Sequence, residues 1–209
     1  MIQETARAAL GGWEDFYLIV GSAAAALTGL QFVVITLISE AQSRTSTGAL
    51  GAFATPTIVH FCAALFVSVV MCAPWPRLPE PAFVIGVGGA VGLVYTGIVV
   101  LRATRQTDYQ MVTEDWIWHV TFPVVAYGVQ LVAGFLLLRA TVVASFAVAA
   151  SSLLLVYIGI HNAWDTSTFM IEERARREAA AATRTVPPAP VPPPMTAPAS
   201  ELAAPTETR

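Results

Sequence analysis

Residues 16–39 read FYLIVGSAAAALTGLQFVVITLIS, without one Asp, Glu, Lys or Arg. At ~1.5 Å rise per residue, a run of this length crosses a hydrocarbon core of ~30 Å as one helix. The same absence of charge recurs over 52–75, 82–101, 117–138 and 140–160. Apolar strands of soluble α/β proteins run about 4–8 residues, far shorter than these. The reading is an all-α fold, a polytopic transmembrane helical bundle of about five spanning helices.

Composition agrees. Of 209 residues 56% are hydrophobic and 12% charged, against roughly 25% charged in an ordinary soluble domain. The net charge of −3 gives no basis for binding nucleic acid. Every fixed cation is arginine, and the C-terminal residues are rich in alanine. That composition has the look of GC-rich bacterial coding, which predicts a multi-pass protein of a bacterial cytoplasmic (inner) membrane with the lipid bilayer as its first partner.

Arginines assign the sides. Arg7, Arg77 and Arg139 fall on one side of the alternating segments; Arg44, Arg102, Arg105, Arg174, Arg176 and Arg177 fall on the other. Arginine excess marks the cytoplasmic face, so the N-terminus is expected outside and the C-terminus inside. Residues 1–13 are expected to form a short external N-terminus, since they lack the basic region of a cleaved leader. All five tryptophans (Trp13, Trp75, Trp116, Trp118, Trp164) fall near the ends of expected helices, where an amphipathic indole meets the headgroups.

Local signals bound the helices at about 14–39, 54–75, 82–102, 116–138 and 141–182. Thr55-Pro56 reads as an N-cap followed by proline at the first helical position. Pro123 removes a backbone donor and frees the carbonyl of His119, which predicts a kink. Only a few residues around Arg139 separate the fourth and fifth segments, so these should be antiparallel neighbours. Nothing breaks the fifth helix before Pro187; it is expected to extend into the cytoplasm, with Glu173 and Arg177 paired at i,i+4. Residues 183–209, rich in Pro, Ala and Thr, cannot bury a core and read as a disordered tail. Its Pro187-Pro188-Ala189-Pro190 reads first as a plain tether and second as a ligand for a partner domain.

Two sets of residues are candidates for function. Gly21, Ala25 and Gly29 recur at i,i+4, and Gly88 with Gly92 forms G-x-x-x-G. Small faces let helices approach closely in lipid, within one subunit or across a homo-oligomer interface. The second set is polar. His60, His119 and His161 all fall toward the side read as cytoplasmic, with Gln31, Asn162 and Asp165 nearby in the pattern. Asp165 lies at i+4 from His161 and could orient its imidazole, and Tyr157 lies one turn deeper. Ionisable groups at membrane depth are costly and turn inward toward partners. An interhelical hydrogen-bond network is the simplest use of these residues; a bound metal ion, haem, or proton and ion passage are the alternatives. Gln130 reads as a further interhelical hydrogen bonder.

No enzyme signature is present. The chain has no H-E-x-x-H, no G-x-S-x-G and no phosphate loop. Gly86, Gly88 and Gly92 miss the dinucleotide pattern because Val91 stands where glycine is required. Glu14-Asp15 and Glu114-Asp115 read as helix-start charges. Cys62 and Cys72 are ~15 Å apart along one helix, too far to bridge, and read as small apolar residues. No cofactor is predicted. The expectation is a non-enzymatic membrane protein acting through helix packing and its cytoplasmic extension, with the histidine side as the rival seat of function.

Overall fold

A computed structural model describes residues 10–41, 47–103 and 116–185. Those residues are helical throughout apart from short turns, and no strand occurs among them. A short 3₁₀ turn, Gly11–Trp13, leads into α1 (Glu14–Ala41); α2 is Thr47–Cys72 and α3 is Pro79–Ala103. A π-helical turn, Ile117–Thr121, opens α4 (Phe122–Leu136), and α5 is Thr141–Thr185. All five helices are long and apolar enough to cross a membrane. The Pro-x-x-Pro segment, Glu114-Asp115 and the loop arginines Arg44 and Arg105 lie outside the described residues.

The helix ends follow from local chemistry. Glu14 and Asp15 occupy the first turn of α1, where negative charge suits the positive end of the helix dipole. Trp75 closes α2 by donating its indole N–H to the Val70 carbonyl at 2.6 Å. Glu80, in the first turn of α3, accepts from the Arg77 backbone at 3.2 Å and pairs with its guanidinium at 2.8 Å. The Leu137–Ala140 turn is closed by bonds from Arg139 and Ala140 to the Leu136 carbonyl. Thr141 Oγ1 returns to the Leu137 carbonyl at 2.9 Å.

Two prolines sit differently from the simplest reading of the sequence. The second helix begins at Thr47, so Pro56 lies inside α2 rather than at its first position. The apolar span starts at Thr55, so the carbonyl freed by Pro56 belongs to the preceding turn, beyond the apolar stretch. Before Pro123 the ladder shifts to i→i+5, with the Phe122 N–H reaching the Ile117 carbonyl. Thr121 Oγ1 also bonds back, to the Trp116 carbonyl at 3.2 Å. The expected disturbance at Pro123 is thus taken up as a π turn.

Polarity is inverted relative to a water-soluble protein. Phe83, Phe135 and Val142 are each 72% exposed, and apolar side chains cover the outer faces of all five helices. Ser, Thr, Gln, His and Asn lie inside: Gln31, Thr57, His60, Ser68, Thr96, Gln130, Ser145, Ser151, Ser152 and Asn162 are buried. Soluble monomers rarely expose apolar patches beyond a few hundred Å²; these faces need an apolar solvent. Most buried hydroxyls bond back within their own helix, as Ser68 does to Ala64, Thr96 to Gly92 and Ser152 to Val148. The side chains left to seek partners across the bundle are the amides and His60.

Among the first four helices, α1 packs chiefly on α2 and α3 chiefly on α4. The α3–α4 crossing is built on glycine. A Cβ at Gly134 would lie 2.7 Å from the Gly86 backbone, one at Gly89 would meet the Leu131 backbone, and one at Gly92 would fall inside the Tyr127 ring. Gly159 of α5 likewise makes room for the Phe61 ring of α2. Helices α2 and α5 are the most buried of the five. Near the start of α1, Trp13, Phe16, Tyr17, Val67, Met71, Leu137, Ala144 and Val148 form one apolar cluster. Toward the other end, Ala24, Ala64, Ala126, Tyr127, Leu155 and Ile158 form a second.

Met1–Glu172 form one compact unit and Glu173–Arg209 another. Within the second, Arg174 Nε pairs with Glu178 Oε1 at 2.8 Å, both side chains being exposed. The expected partner of Arg177, the Glu173 side chain, lies outside the described residues.

Candidate functional site

The candidate site is the histidine end of the bundle. On α2, Thr57, His60, Phe61 and Ala64 are buried at i, i+3, i+4 and i+7, the spacing of one helical face. That face carries His60 inward, where it is 2% exposed. Its Nδ1 lies 2.9 Å from the Tyr127 hydroxyl of α4. With the proton on Nε2, the hydroxyl donates to Nδ1; with the proton on Nδ1, the ring donates to the phenolic oxygen. Tyr127 can reach His60 because Gly92 leaves its ring a place against α3. Glycine, tyrosine and histidine thus act in series across three helices.

The π turn sets the second half of the site. It presents Trp118, which stacks on the His161 imidazole of α5 with ring centroids 3.9 Å apart and planes 15° from parallel. Trp118 also meets Phe122 edge-on at 4.9 Å. His119, the next residue, lies close enough to His60 for charges on the two rings to repel. Histidines from α2, α5 and the turn before α4 therefore gather at one end.

The remaining polar candidates separate. Asn162 is 0% exposed, and neither atom of its amide has a hydrogen-bond partner among the described residues. Gln130 is buried, with its Nε2 in the same condition. Gln31 is 4% exposed in the second half of α1. Asp165 is exposed and makes no hydrogen bond to His161, and Tyr157 is 61% exposed. The imidazole of His161 is oriented by an aromatic face rather than by a carboxylate.

Of the small residues singled out in the sequence, Gly21 abuts Ser68, where a Cβ would come within 2.9 Å, and Gly92 receives Tyr127. Gly88 would make an ordinary 3.6 Å contact with Phe66; Gly29 has nothing within 4 Å, and Ala25 is exposed. The closest backbone crossings use Gly86, Gly89 and Gly134, which no G-x-x-x-G spacing marks. Gly86, Gly89 and Gly92 do recur at i, i+3 and i+6, a spacing that marks one face.

Among the described residues, no three His, Cys, Asp or Glu side chains come together as a metal-holding group. The arrangement offers hydrogen bonding and proton acceptance within an apolar surround. No known protein family matches the chain, and it is similar to no curated protein and no solved structure.

Proposed function

We propose a non-enzymatic multi-pass protein of a bacterial inner membrane, with its N-terminus outside, its C-terminus inside and the end of α5 in the cytoplasm. It acts through the packing of its helices. The inverted polarity carries this reading: Phe83, Phe135 and Val142 face outward while His60, Gln130 and Asn162 face inward. Glycine-lined contacts between α3 and α4 and between α2 and α5 support packing as the means of assembly. The arginine distribution supports the sidedness. The test is sedimentation after alkaline washing, together with reporters fused behind Arg209. Protein recovered in the membrane pellet, with a cytoplasm-active reporter, is the expected result; a monodisperse soluble particle would overturn the reading.

A second reading has its own support. The His60–Tyr127 pair, with His119 in range, is a protonatable group deep among apolar residues, and such groups mark proton or ion handling. We place its working part at His60, His119, His161 and Asn162. Metal content and an absorption spectrum of the purified protein separate this from cation or haem binding: stoichiometric metal or a Soret band would displace it.

A further inference from the structure

We propose that the histidine end is an acid-sensitive latch: when His60 gains a second proton, the α1–α2 pair parts from the α3–α4 pair at this end of the bundle. The proposal rests on the proton-handling reading and adds a mechanical consequence to it.

The latch follows from how the helices are paired. Helix α1 is packed chiefly on α2, and α3 chiefly on α4, so the first four helices form two tight pairs. The His60–Tyr127 hydrogen bond runs between them, from α2 to α4. Near this end α5 touches both pairs, through Phe61 against Gly159 and through Trp118 on His161. A change at His60 therefore acts on the seam between two units, each held together by its own packing.

Protonation changes what that seam can satisfy. Neutral imidazole pairs with Tyr127 in either tautomer. Imidazolium has two N–H donors, so Nδ1 must donate to the phenol and Nε2–H needs an acceptor of its own. Among the described residues, the titratable and charged groups facing this region offer no counter-charge. The α4 side contributes Tyr127 and, on its π turn, His119, a potential like charge. Helix α3 contributes Tyr95, within electrostatic range of Tyr127 and of the exposed Arg102. Helix α2 itself adds the exposed Cys62, and α5 adds His161, held on Trp118. Among described side chains of α1, only Gln31, which does not titrate, is buried in its second half. Of the described carboxylates, Glu14, Asp15 and Glu80 lie at the start of α1 and α3, and Asp165, Glu172 and Glu178 are exposed on α5. An uncompensated charge inside an apolar bundle is relieved by admitting water, and the seam between the pairs, which the His60–Tyr127 hydrogen bond crosses, is where water enters.

The experiment uses the full chain in lipid nanodiscs. One spin label is placed on native Cys62 of α2 and another on Val125→Cys of α4, both outward-facing sites, with Cys72→Ser removing the other thiol. The distance between labels is measured from about pH 7.5 to about pH 3.5, a window wide enough to carry an imidazole without a counter-charge through its titration. Histidine ¹⁵N NMR of the same samples reports protonation. The expected result is a longer distance in acid, in step with the His60 signal, and no change in His60→Asn, whose amide can still bond Tyr127. Tyr127→Phe removes the hydrogen bond but adds no charge, so its labels should stay close at neutral pH and part only as His60 gains a proton, which keeps the test open should His60→Asn not fold. If His60 takes up a proton and the labels stay put, the latch is wrong and the proton-handling reading stands. If no histidine at this end changes protonation, both fall. Movement that persists in His60→Asn overturns the latch alone.

Discussion

Where α1 begins, Trp13 sets its edge against Phe146 at 4.7 Å, and the α3–α4 crossing brings the backbones of Gly86 and Gly134 together. Where α1 ends, contacts run through imidazole, phenol and indole: His60 to Tyr127, His161 to Trp118. The first region is held by shape, the second by directed polar contacts. In lipid the two behave differently. Association without a hydrophobic drive depends on close approach, so the shape-held region tolerates no added volume. The polar region tolerates volume better and suffers when one partner of a pair is lost. Tyr17 qualifies the contrast: it lies in the shape-held region at 0% exposure, yet its hydroxyl has no hydrogen-bond partner among the described residues.

The largest expected effect lies in the shape-held region. Gly134→Val drives branched carbon into the Gly86 backbone and should cost about 3 kcal/mol, read as lost stability in reversible unfolding from mixed micelles. Gly29→Val, with open space around it, is the control and should leave stability nearly unchanged; equal losses at both positions would erase the distinction between packed and lipid-facing glycines. Next comes the polar region. Tyr127→Phe leaves the buried His60 short of its partner and should cost about 1–2 kcal/mol. The matching change Tyr17→Phe removes a hydroxyl that has no partner among the described residues, and stability should hold or rise; a loss as large as that of Tyr127→Phe would show that the two regions are not different in kind. Smaller still is Asn162→Leu. With neither amide atom bonded among the described residues, it should stay within about 1 kcal/mol of the natural protein; a drop beyond about 2 kcal/mol would show that Asn162 is held by water or a ligand.

Much of this architecture was legible in the sequence, for a physical reason. A span needs only length and the absence of charge, and both are properties of the string itself. The short link around Arg139 and the irregularity at Pro123 were also readable, since each follows from local backbone chemistry. Helix rotation was not. Gly88 and Gly92 satisfy the same motif, but only at Gly92 would a Cβ overlap the neighbouring ring, and Gly86 and Gly89 share its face although neither completes a G-x-x-x-G with it. Asp165 stands at the right interval from His161 and is nevertheless exposed, because the imidazole leans onto Trp118. A spacing rule names which side chains can meet along one helix; which of them do meet is decided by neighbours from other helices. Pro56 shows the converse limit: a good cap signal was overridden because the residues upstream of it are themselves helical.

Helix α5 has a bearing on how the protein is made. It is among the two most enclosed helices, yet it emerges from the ribosome after the other four. Until it arrives, Phe61 lacks the notch provided by Gly159, and Trp118 lacks the ring on which it stacks. The earlier helices must therefore wait in the membrane half-assembled, sheltered by lipid or by the insertion machinery. Completion waits on the fifth helix, which brings Gly159 to Phe61 and His161 to Trp118.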